Sequence, residues 1–181
     1  MLKWGILGLG NIAHSFVQDL LLVDNCKLMS VASRTQEKAT AFGDEYGAEF
    51  CYGNYNALMN DPEVDIIYIA TPHNSHCEYS IQCMDKGKHV LCEKPLGVNA
   101  EQVLKMIEAS KKNNVFFMEA LWSRFNPAIR EVKDKINSRV IGKANYIQAD
   151  FTMSRNDNES SRLLNPDLAG GSLLDMGIYP V

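Results

Sequence analysis

The chain has 181 residues, 46% of them hydrophobic, and this length and composition predict a globular protein with one core of ordinary size plus a remainder. Its net charge of −4 argues against a nucleic-acid or anionic-membrane partner, and no apolar run approaches the ~20 residues of a transmembrane helix. The five cysteines include no C-x-x-C pair, which indicates reduced thiols and a cytoplasmic protein.

A glycine motif follows the first predicted strand, Lys3 to Leu9, which starts too early to leave room for a signal peptide. Residues 8–13 read Gly-Leu-Gly-Asn-Ile-Ala, a G-x-G-x-x-A pattern. The first glycine makes a tight turn, the second lets backbone approach a pyrophosphate, and the next helix offers its N–H groups to the phosphates. We expect a dinucleotide site here, with a tight structural turn as the alternative. The candidate cofactor-binding residues are Gly8, Gly10, Asn11 and Ile12.

The end of the second predicted strand, Lys27 to Ala32, indicates which dinucleotide is bound. NAD sites place an Asp or Glu there to hold the ribose 2′-hydroxyl, whereas this chain has Ser33, Arg34 and, one turn on, Lys38. Arg34 can bind a 2′-phosphate bidentately and Ser33 can donate to it, while a carboxylate would repel it. We predict NADP over NAD; the alternative is that Arg34 is merely an exposed residue at a helix start.

Strands and helices alternate through the first 120 residues. The run Val64 to Ala70 is apolar apart from Asp65, as expected for a strand covered on both faces. The order predicts an α/β fold, a Rossmann-type doubly wound parallel sheet with right-handed crossovers. Helices are predicted by apolar residues at helical spacing and by capping residues. These residues are Ile12, Ala13, Phe16, Val17 and Leu20; Thr35 as a cap of a helix to Tyr46; Asn74 or Ser75 as the cap before Cys77, Ile81 and Met84; and Ala100, Val103, Leu104 and Ile107.

The loop after the fourth strand carries Thr71, Pro72, His73 and His76 at the edge where open α/β sheets bind ligands. All four are candidate cofactor-binding residues. We expect His76 to lie beside the nicotinamide and His73 to cap a helix or lie on the surface. The spacing of His73, His76 and Cys77 also suggests a metal site. No fourth ligand is evident, however, and zinc takes four, so we predict no metal.

The fifth predicted strand, His89 to Cys92, runs directly into Glu93, Lys94 and Pro95. Because ligands bind at strand ends in such sheets, Lys94 is expected to be a cation at the rim of a cleft. Pro95 fixes its own φ and makes the turn rigid. The alternative is a solvated lysine that ends a strand.

Three stretches together resemble the Gfo/Idh/MocA family, named after glucose–fructose oxidoreductase and inositol dehydrogenase. They are residues 8–13, residues 70–76 (Ala-Thr-Pro-His-Asn-Ser-His) and residues 92–95 (Cys-Glu-Lys-Pro). The resemblance implies that Lys94 lies beside the nicotinamide and the substrate hydroxyl, with Glu93 in the same site, and that the peptide before Pro95 is cis. It also implies an NAD(P)-binding domain over 1–121 and a substrate and dimerisation domain from 122.

Residues 119–127, Glu-Ala-Leu-Trp-Ser-Arg-Phe-Asn-Pro, are similar to one subgroup, dimeric dihydrodiol dehydrogenase and NADP-dependent xylose dehydrogenase. That likeness implies that Trp122 and Arg124 close the nicotinamide end; alternatively, Trp122 and Phe125 pack the domain junction. Residues 170–180 resemble the family's second motif, in which an Asp and a His four residues on complete the active site. Here Asp175 is followed by Tyr179, as in the same subgroup.

The catalytic residues implied are Lys94, Asp175 and Tyr179. Hydride transfer at a carbinol carbon needs a group that exchanges the hydroxyl proton. Lys94 can do so as a neutral amine, which burial favours and a nearby Asp175 opposes; alternatively, a cationic Lys94 stabilises the phenolate of Tyr179. The implied function is an NADP-dependent oxidoreductase acting on a sugar, polyol or cyclic diol. The alternatives are a dinucleotide-binding protein without turnover and metal-dependent chemistry.

Residues 122–181 predict only the beginning of an α+β open-sheet domain. After Pro127 the pattern contains one helix to about Ser138, one alternating strand over 143–154 and a polar loop over 154–161. A single strand cannot make a stable sheet, whereas the family continues into an open sheet that binds substrate and often forms the dimer interface. We therefore expect a truncated chain, a fragment, or a domain completed by another chain. Its strand would expose apolar surface and favour homo-oligomers.

Overall fold

A computed structural model of the chain describes residues 1–154, 161 and 163–180. Contacts group the chain into two compact units, Met1–Glu119 and Ala120–Val181. Within the described ranges, no helix combines the length and apolar character that crossing a membrane would require. All five cysteines are free thiols.

Six strands form one sheet in the first unit. They are β1 (Leu2–Leu7), β2 (Cys26–Ala32), β3 (Phe50–Tyr52), β4 (Ile66–Ile69), β5 (His89–Glu93) and β6 (Phe117–Ala120). Their spatial order is β3-β2-β1-β4-β5-β6, and the pairs β1–β2, β1–β4, β2–β3 and β4–β5 are parallel. Strand order therefore reverses between β1 and β4, the switch point at which doubly wound sheets bind ligands. The predicted Rossmann-type fold is confirmed.

Several of the helices begin where the sequence supplies a capping side chain. Thr35 Oγ1 accepts the N–H of Lys38 at 3.4 Å, and Asn99 Oδ1 accepts that of Gln102 at 2.9 Å. The helices are α1 (Asn11–Leu20), α2 (Gln36–Tyr46), α3 (Tyr55–Met59), α4 (His76–Asp85), α5 (Ala100–Asn113), α6 (Pro127–Asn137) and α7 (Ser172–Asp175), with 3-10 turns at His73–Ser75, Trp122–Phe125 and Pro166–Leu168.

The core of the first unit lies around β4, whose residues are all buried. Met84 of α4 and Met106 of α5 are buried in the same apolar cluster as Ile67 and Ile69. Burial on both faces is confirmed for Ile66–Ile69, whereas Asp65, within the predicted run, is exposed. Such a strand fixes its backbone firmly, so residues just after it inherit a defined position.

Apolar spacing alone misplaces part of two helix faces. Ile12 in α1 is 47% exposed although the predicted set included it, because the buried stripe of this helix is centred on Ala13 and Val17. In α5, Leu104 and Ile107 are exposed and the buried stripe passes through Met106. When apolar residues outnumber the positions of one stripe, periodicity cannot tell which of them face the core.

The strand predicted over 143–154 does not form in the second unit, where these residues have no regular secondary structure. Among the described residues they find no neighbouring strand, and one extended segment without a partner leaves its ladder hydrogen bonds unmade. The predicted apolar exposure is present: Tyr146 is 80% exposed and Ile147 is exposed as well. Residues 155–160 of the predicted loop lie outside the described ranges.

A buried carboxylate connects β2, β3 and the turn before β4. Asp61 is 5% exposed, and its Oδ2 accepts hydrogen bonds from the hydroxyls of Ser30 at 2.5 Å and Tyr52 at 3.1 Å. Its Oδ1 accepts the N–H of Glu63 at 2.9 Å. The ammonium of Lys88 donates to the Asp61 carbonyl oxygen at 2.6 Å. The carboxylate thus holds elements that are far apart in sequence.

Replacing Asp61 with alanine should lower the free energy of unfolding by about 3 kcal/mol, because buried hydroxyls lose a charged acceptor. Urea unfolding of the Asp61→Ala variant measures this loss. The matched control is Asp65→Ala, since Asp65 is exposed and its carboxylate accepts the N–H of Lys3 at 2.9 Å. Equal losses for the two variants would contradict a structural role for the buried carboxylate.

Candidate active site

Strand register brings three of the predicted motifs to one edge of the sheet. Leu7, the last residue of β1, pairs with Ile69 of β4, which in turn pairs with Cys92 of β5. The three strands are parallel, so the residues that follow these positions leave the sheet side by side. The glycine turn, the loop after β4 and the turn at Lys94 are therefore neighbours.

Gly8 occupies a position that only glycine fits. Its φ is +92°, and a Cβ there would lie 2.9 Å from the backbone carbon and oxygen of Ala70. Its N–H donates to the Ala32 carbonyl oxygen at 3.1 Å. Gly10 differs, because a Cβ built on it would meet no atom within 4 Å. The turn is thus tight against β4 at Gly8 and open at Gly10.

The N-terminus of α1 opens beside that space. The helix begins at Asn11 after Gly10, and no side chain caps its first turn in the part of the chain that the structure describes. Uncapped N–H groups at a helix N-terminus bind anions through their hydrogens and the helix dipole. The exposed Ile12 lies in the same turn. This donor set and the open cradle at Gly10 fit a pyrophosphate.

The end of β2 presents two cations. Arg34 and Lys38 are exposed, whereas Ser33 is buried and its N–H donates to the Tyr52 carbonyl oxygen at 3.0 Å. Tyr55, at the start of α3, lies close enough to Arg34 for an electrostatic interaction. Burial raises the pKa of the Tyr55 hydroxyl and Arg34 opposes that rise. Sequence reasoning missed Tyr55, whose only signal was its place after the capping Asn54.

The loop after β4 is held by its own hydroxyls. Ser75 Oγ lies 2.8 Å from Thr71 Oγ1 and 2.7 Å from the Pro72 carbonyl oxygen. Ser75, one of the two predicted caps, has the N-cap position of α4, but its side chain makes no capping bond. The hydroxyl is instead used to close the loop. Thr71 is buried and Pro72 is exposed.

The two histidines of this loop are both inside the protein. His73 is 5% exposed, so the predicted surface role is wrong. His76 is fully buried, with Nδ1 2.8 Å from the Pro95 carbonyl oxygen and Nε2 2.9 Å from that of Thr71. Carbonyls only accept, so an imidazolium with two N–H groups satisfies both, whereas a neutral ring satisfies one. His76 ties the loop after β4 to the turn after β5.

The described residues do not support a metal site at His73, His76 and Cys77. The described residues contain no group of three or more His, Cys, Asp or Glu side chains arranged to hold a metal ion. Both nitrogens of His76 are within hydrogen-bond distance of backbone oxygens, and the thiol of Cys77 donates to the Gln102 carbonyl oxygen at 3.6 Å.

Lys94 is partly buried and precedes Pro95 through a cis peptide bond, as the resemblance implied. The Glu93 carboxylate is held at both oxygens: Oε1 accepts the hydroxyl of Tyr68, and Oε2 accepts the N–H of Lys94 at 3.2 Å. Beyond the turn, the Leu96 N–H donates to Glu119 Oε1 at 3.2 Å. Sequence reasoning missed Tyr68, which reads as one more large residue in an apolar strand.

The second unit brings Trp122 and Tyr179 together. The indole N–H of Trp122 donates to the Tyr179 hydroxyl oxygen at 3.0 Å. The Tyr179 ring centroid lies 4.7 Å from that of Phe151. Asp175 is the last residue of α7 and is partly buried, and Arg124 is exposed in the 3-10 turn that begins at Trp122. Phe151 is a further residue that the sequence did not single out.

Two family models match the chain. The model of the Gfo/Idh/MocA oxidoreductase family, described as an NAD-binding Rossmann fold, matches residues 2–121. The model of the Gfo/Idh/MocA C-terminal domain matches residues 129–181.

Similar proteins include dehydrogenases of two names. The chain is 40% identical to trans-1,2-dihydrobenzene-1,2-diol dehydrogenase of Xenopus laevis, over 99% of this chain and 54% of that protein. It is 38% identical to D-xylose 1-dehydrogenase (NADP(+)) of Hypocrea jecorina, over 99% of this chain and 51% of that protein. The chain thus spans about half the length of these curated relatives.

A solved structure resembles the chain in fold. KijD10, a 3-ketoreductase from Actinomadura kijaniata solved with NADP and TDP-benzene, matches with a TM-score of 0.90 and 29% identity. The match covers 99% of this chain and 55% of KijD10. From the two family models, these relatives and the strand order around the glycine turn, the chain belongs to the Gfo/Idh/MocA oxidoreductase family.

Proposed function

We propose that the chain is an NADP-dependent oxidoreductase that moves a hydride between nicotinamide and a carbinol carbon of a sugar, polyol or cyclic diol. The observation that carries the proposal is that the glycine turn and Lys94 lie close together at one edge of the sheet. The names of the relatives, dehydrogenases of a diol and of xylose, support the reaction and the substrate class.

NADP is the proposed cofactor, and it supplies the hydride acceptor or donor when bound. The open cradle at Gly10 and the uncapped start of α1 at Asn11 and Ile12 fit its pyrophosphate. Arg34 and Lys38 supply positive charge for a 2′-phosphate, and no acidic residue precedes Arg34 in this turn. The NADP in KijD10 and in the name of the xylose dehydrogenase supports the same choice.

The nicotinamide half of the cofactor is assigned to the neighbouring loops. These proposed contacts are Thr71, Pro72, His73, Glu93 and Lys94, and the fully buried His76 holds their loops in place. Trp122 and Arg124 are proposed from their likeness to the subgroup alone. The burial of His73 and His76 makes this part of the loop rigid, which favours a fixed ring position.

We propose that Lys94, Asp175 and Tyr179 are the residues that exchange the hydroxyl proton of the substrate. The Trp122 N–H donates to the Tyr179 hydroxyl oxygen at 3.0 Å, which fixes where that oxygen lies. A fixed hydroxyl oxygen supports exchange of the proton by Tyr179, because a general acid or base acts within hydrogen-bond reach of its substrate. Lys94 would orient the substrate hydroxyl, and Asp175 is proposed from its place in the family's second motif.

We also propose a cytoplasmic location and a homo-oligomer. The free thiols of all five cysteines support a reducing compartment. The exposed apolar side chains between 140 and 153 support association through the second unit.

The Arg34→Ala variant should bind NADPH about tenfold more weakly or worse, because a charge-assisted bond to the 2′-phosphate is lost. NADH affinity should be unchanged, since NADH lacks that phosphate. Quenching of protein fluorescence during dinucleotide titration measures both. Lys111→Ala, an exposed cation on α5, is the control; equal weakening of NADPH and NADH by Arg34→Ala would contradict the assignment.

The Lys94→Ala variant should lose about 10²- to 10⁴-fold in kcat, the usual contribution of a positioned acid or base, with NADPH affinity nearly intact. The assay follows NADPH absorbance with a panel of sugars and diols. Lys86→Ala, exposed at the end of α4, is the control. Unchanged turnover in Lys94→Ala would remove Lys94 from the chemistry. Binding without turnover by the unaltered chain would favour a dinucleotide-binding protein instead.

The chain should sediment as an oligomer, because its exposed apolar side chains gain by leaving water. Sedimentation velocity over a range of concentrations measures this. Substituting both Tyr146 and Ile147 with Asp should shift the chain toward monomer, and a cleanly monomeric unaltered chain would contradict the proposal. The control places Asp at Leu104, an exposed apolar residue of the first unit.

A further inference from the structure

We propose that Tyr68 is a positioning residue that fixes Lys94 by holding the Glu93 carboxylate. The inference rests on the proposed function, in which Lys94 is at the reacting centre. It adds a residue of the sheet interior to a site otherwise built from loops and strand ends.

The ring of Tyr68 has a single position available to it. It is 1% exposed, and β4 is flanked by β1 and β5, with Tyr68 paired to Ile6 and Leu91. Its ring stacks on Phe16 of α1, with centroids 3.8 Å apart and planes 14° from parallel. A tyrosine packed in this way has little freedom left except rotation of its O–H.

The hydroxyl at the end of that ring reaches the turn that bears Lys94. It donates to Oε1 of Glu93, while Oε2 of the same carboxylate accepts the Lys94 N–H at 3.2 Å. The buried Tyr68 ring therefore fixes the Glu93 carboxylate, and the carboxylate in turn fixes the Lys94 backbone. A glutamate has several rotatable bonds, and bonds at both oxygens restrict them together.

The acid–base state of Tyr68 suits a holding role. Burial, and then the negative charge of Glu93, raise the pKa of the Tyr68 hydroxyl far above its ordinary value. The phenol therefore stays protonated at physiological pH and remains a hydrogen-bond donor. A group so hard to ionise does not exchange the substrate proton.

A second tyrosine in the same sheet provides a matched control. Tyr52 in β3 also donates to a carboxylate, Asp61 Oδ2, at 3.1 Å. Tyr52→Phe and Tyr68→Phe each remove one hydroxyl bound to a carboxylate and keep the aromatic ring. Only the Tyr68 change acts on Glu93.

The first test follows amide hydrogen exchange of the whole 181-residue chain by NMR. Tyr68→Phe should speed exchange of the Lys94 amide about tenfold, because its acceptor becomes mobile. Tyr52→Phe should leave the Lys94 amide unchanged, and Glu93→Ala should speed its exchange at least as much as Tyr68→Phe. Unchanged exchange in Tyr68→Phe overturns the proposal. This readout needs no turnover, so it decides the inference even when the proposed function fails.

The second test is a double-mutant cycle on turnover. Tyr68→Phe should lower kcat about tenfold with the KM for NADPH unchanged, and it should have no further effect in a Lys94→Ala background, since coupled residues are non-additive. Equal fractional losses in both backgrounds would mean a general structural role and overturn the proposal. Failure of the proposed function gives a different result: no turnover in the unaltered chain.

Discussion

Parallel pairing of β1, β4 and β5 is the constraint on which the candidate site depends. Each of these strands ends at a chemically distinct segment: the glycine turn, the loop at Thr71 and the turn at Lys94. In-register hydrogen bonds through Leu7, Ile69 and Cys92 place the three segments side by side although they are far apart in sequence. Because β4 is buried on both faces, the register cannot slip without exposing apolar side chains.

Polar links then fix the segments relative to one another. His76 joins Thr71 to the Pro95 carbonyl, and Glu93 joins Tyr68 to the Lys94 amide. These bonds lie in partly or fully buried surroundings, where a lost partner is costly and an intact one is strong. The site is therefore rigid because its polar groups are satisfied within the protein, rather than because its loops are short.

The sequence predicted the features that local rules determine. The glycine turn, the cap at Thr35 and the buried run around Ile67 follow from backbone sterics, short hydrogen bonds and apolar content. It could not predict which apolar residue of a crowded helix faces the core, so Ile12 was placed wrongly. It also could not see that the alternating segment 143–154 would have no partner strand among the described residues, because pairing depends on distant residues.

The residues that sequence reading missed share one property: each is aromatic with a polar tip or packs against such a residue. The sequence suggests that Tyr68 is a core residue, and its ring is indeed buried in the core, but its hydroxyl oxygen reaches Glu93. In the second unit, Trp122 donates to Tyr179, whose ring lies against Phe151. An aromatic side chain has two χ angles and a large rigid body, so it places a polar atom at little entropic cost. A hydrophobicity pattern registers only the apolar ring of such a residue. A residue that orients an active-site group can therefore be mistaken for a core residue.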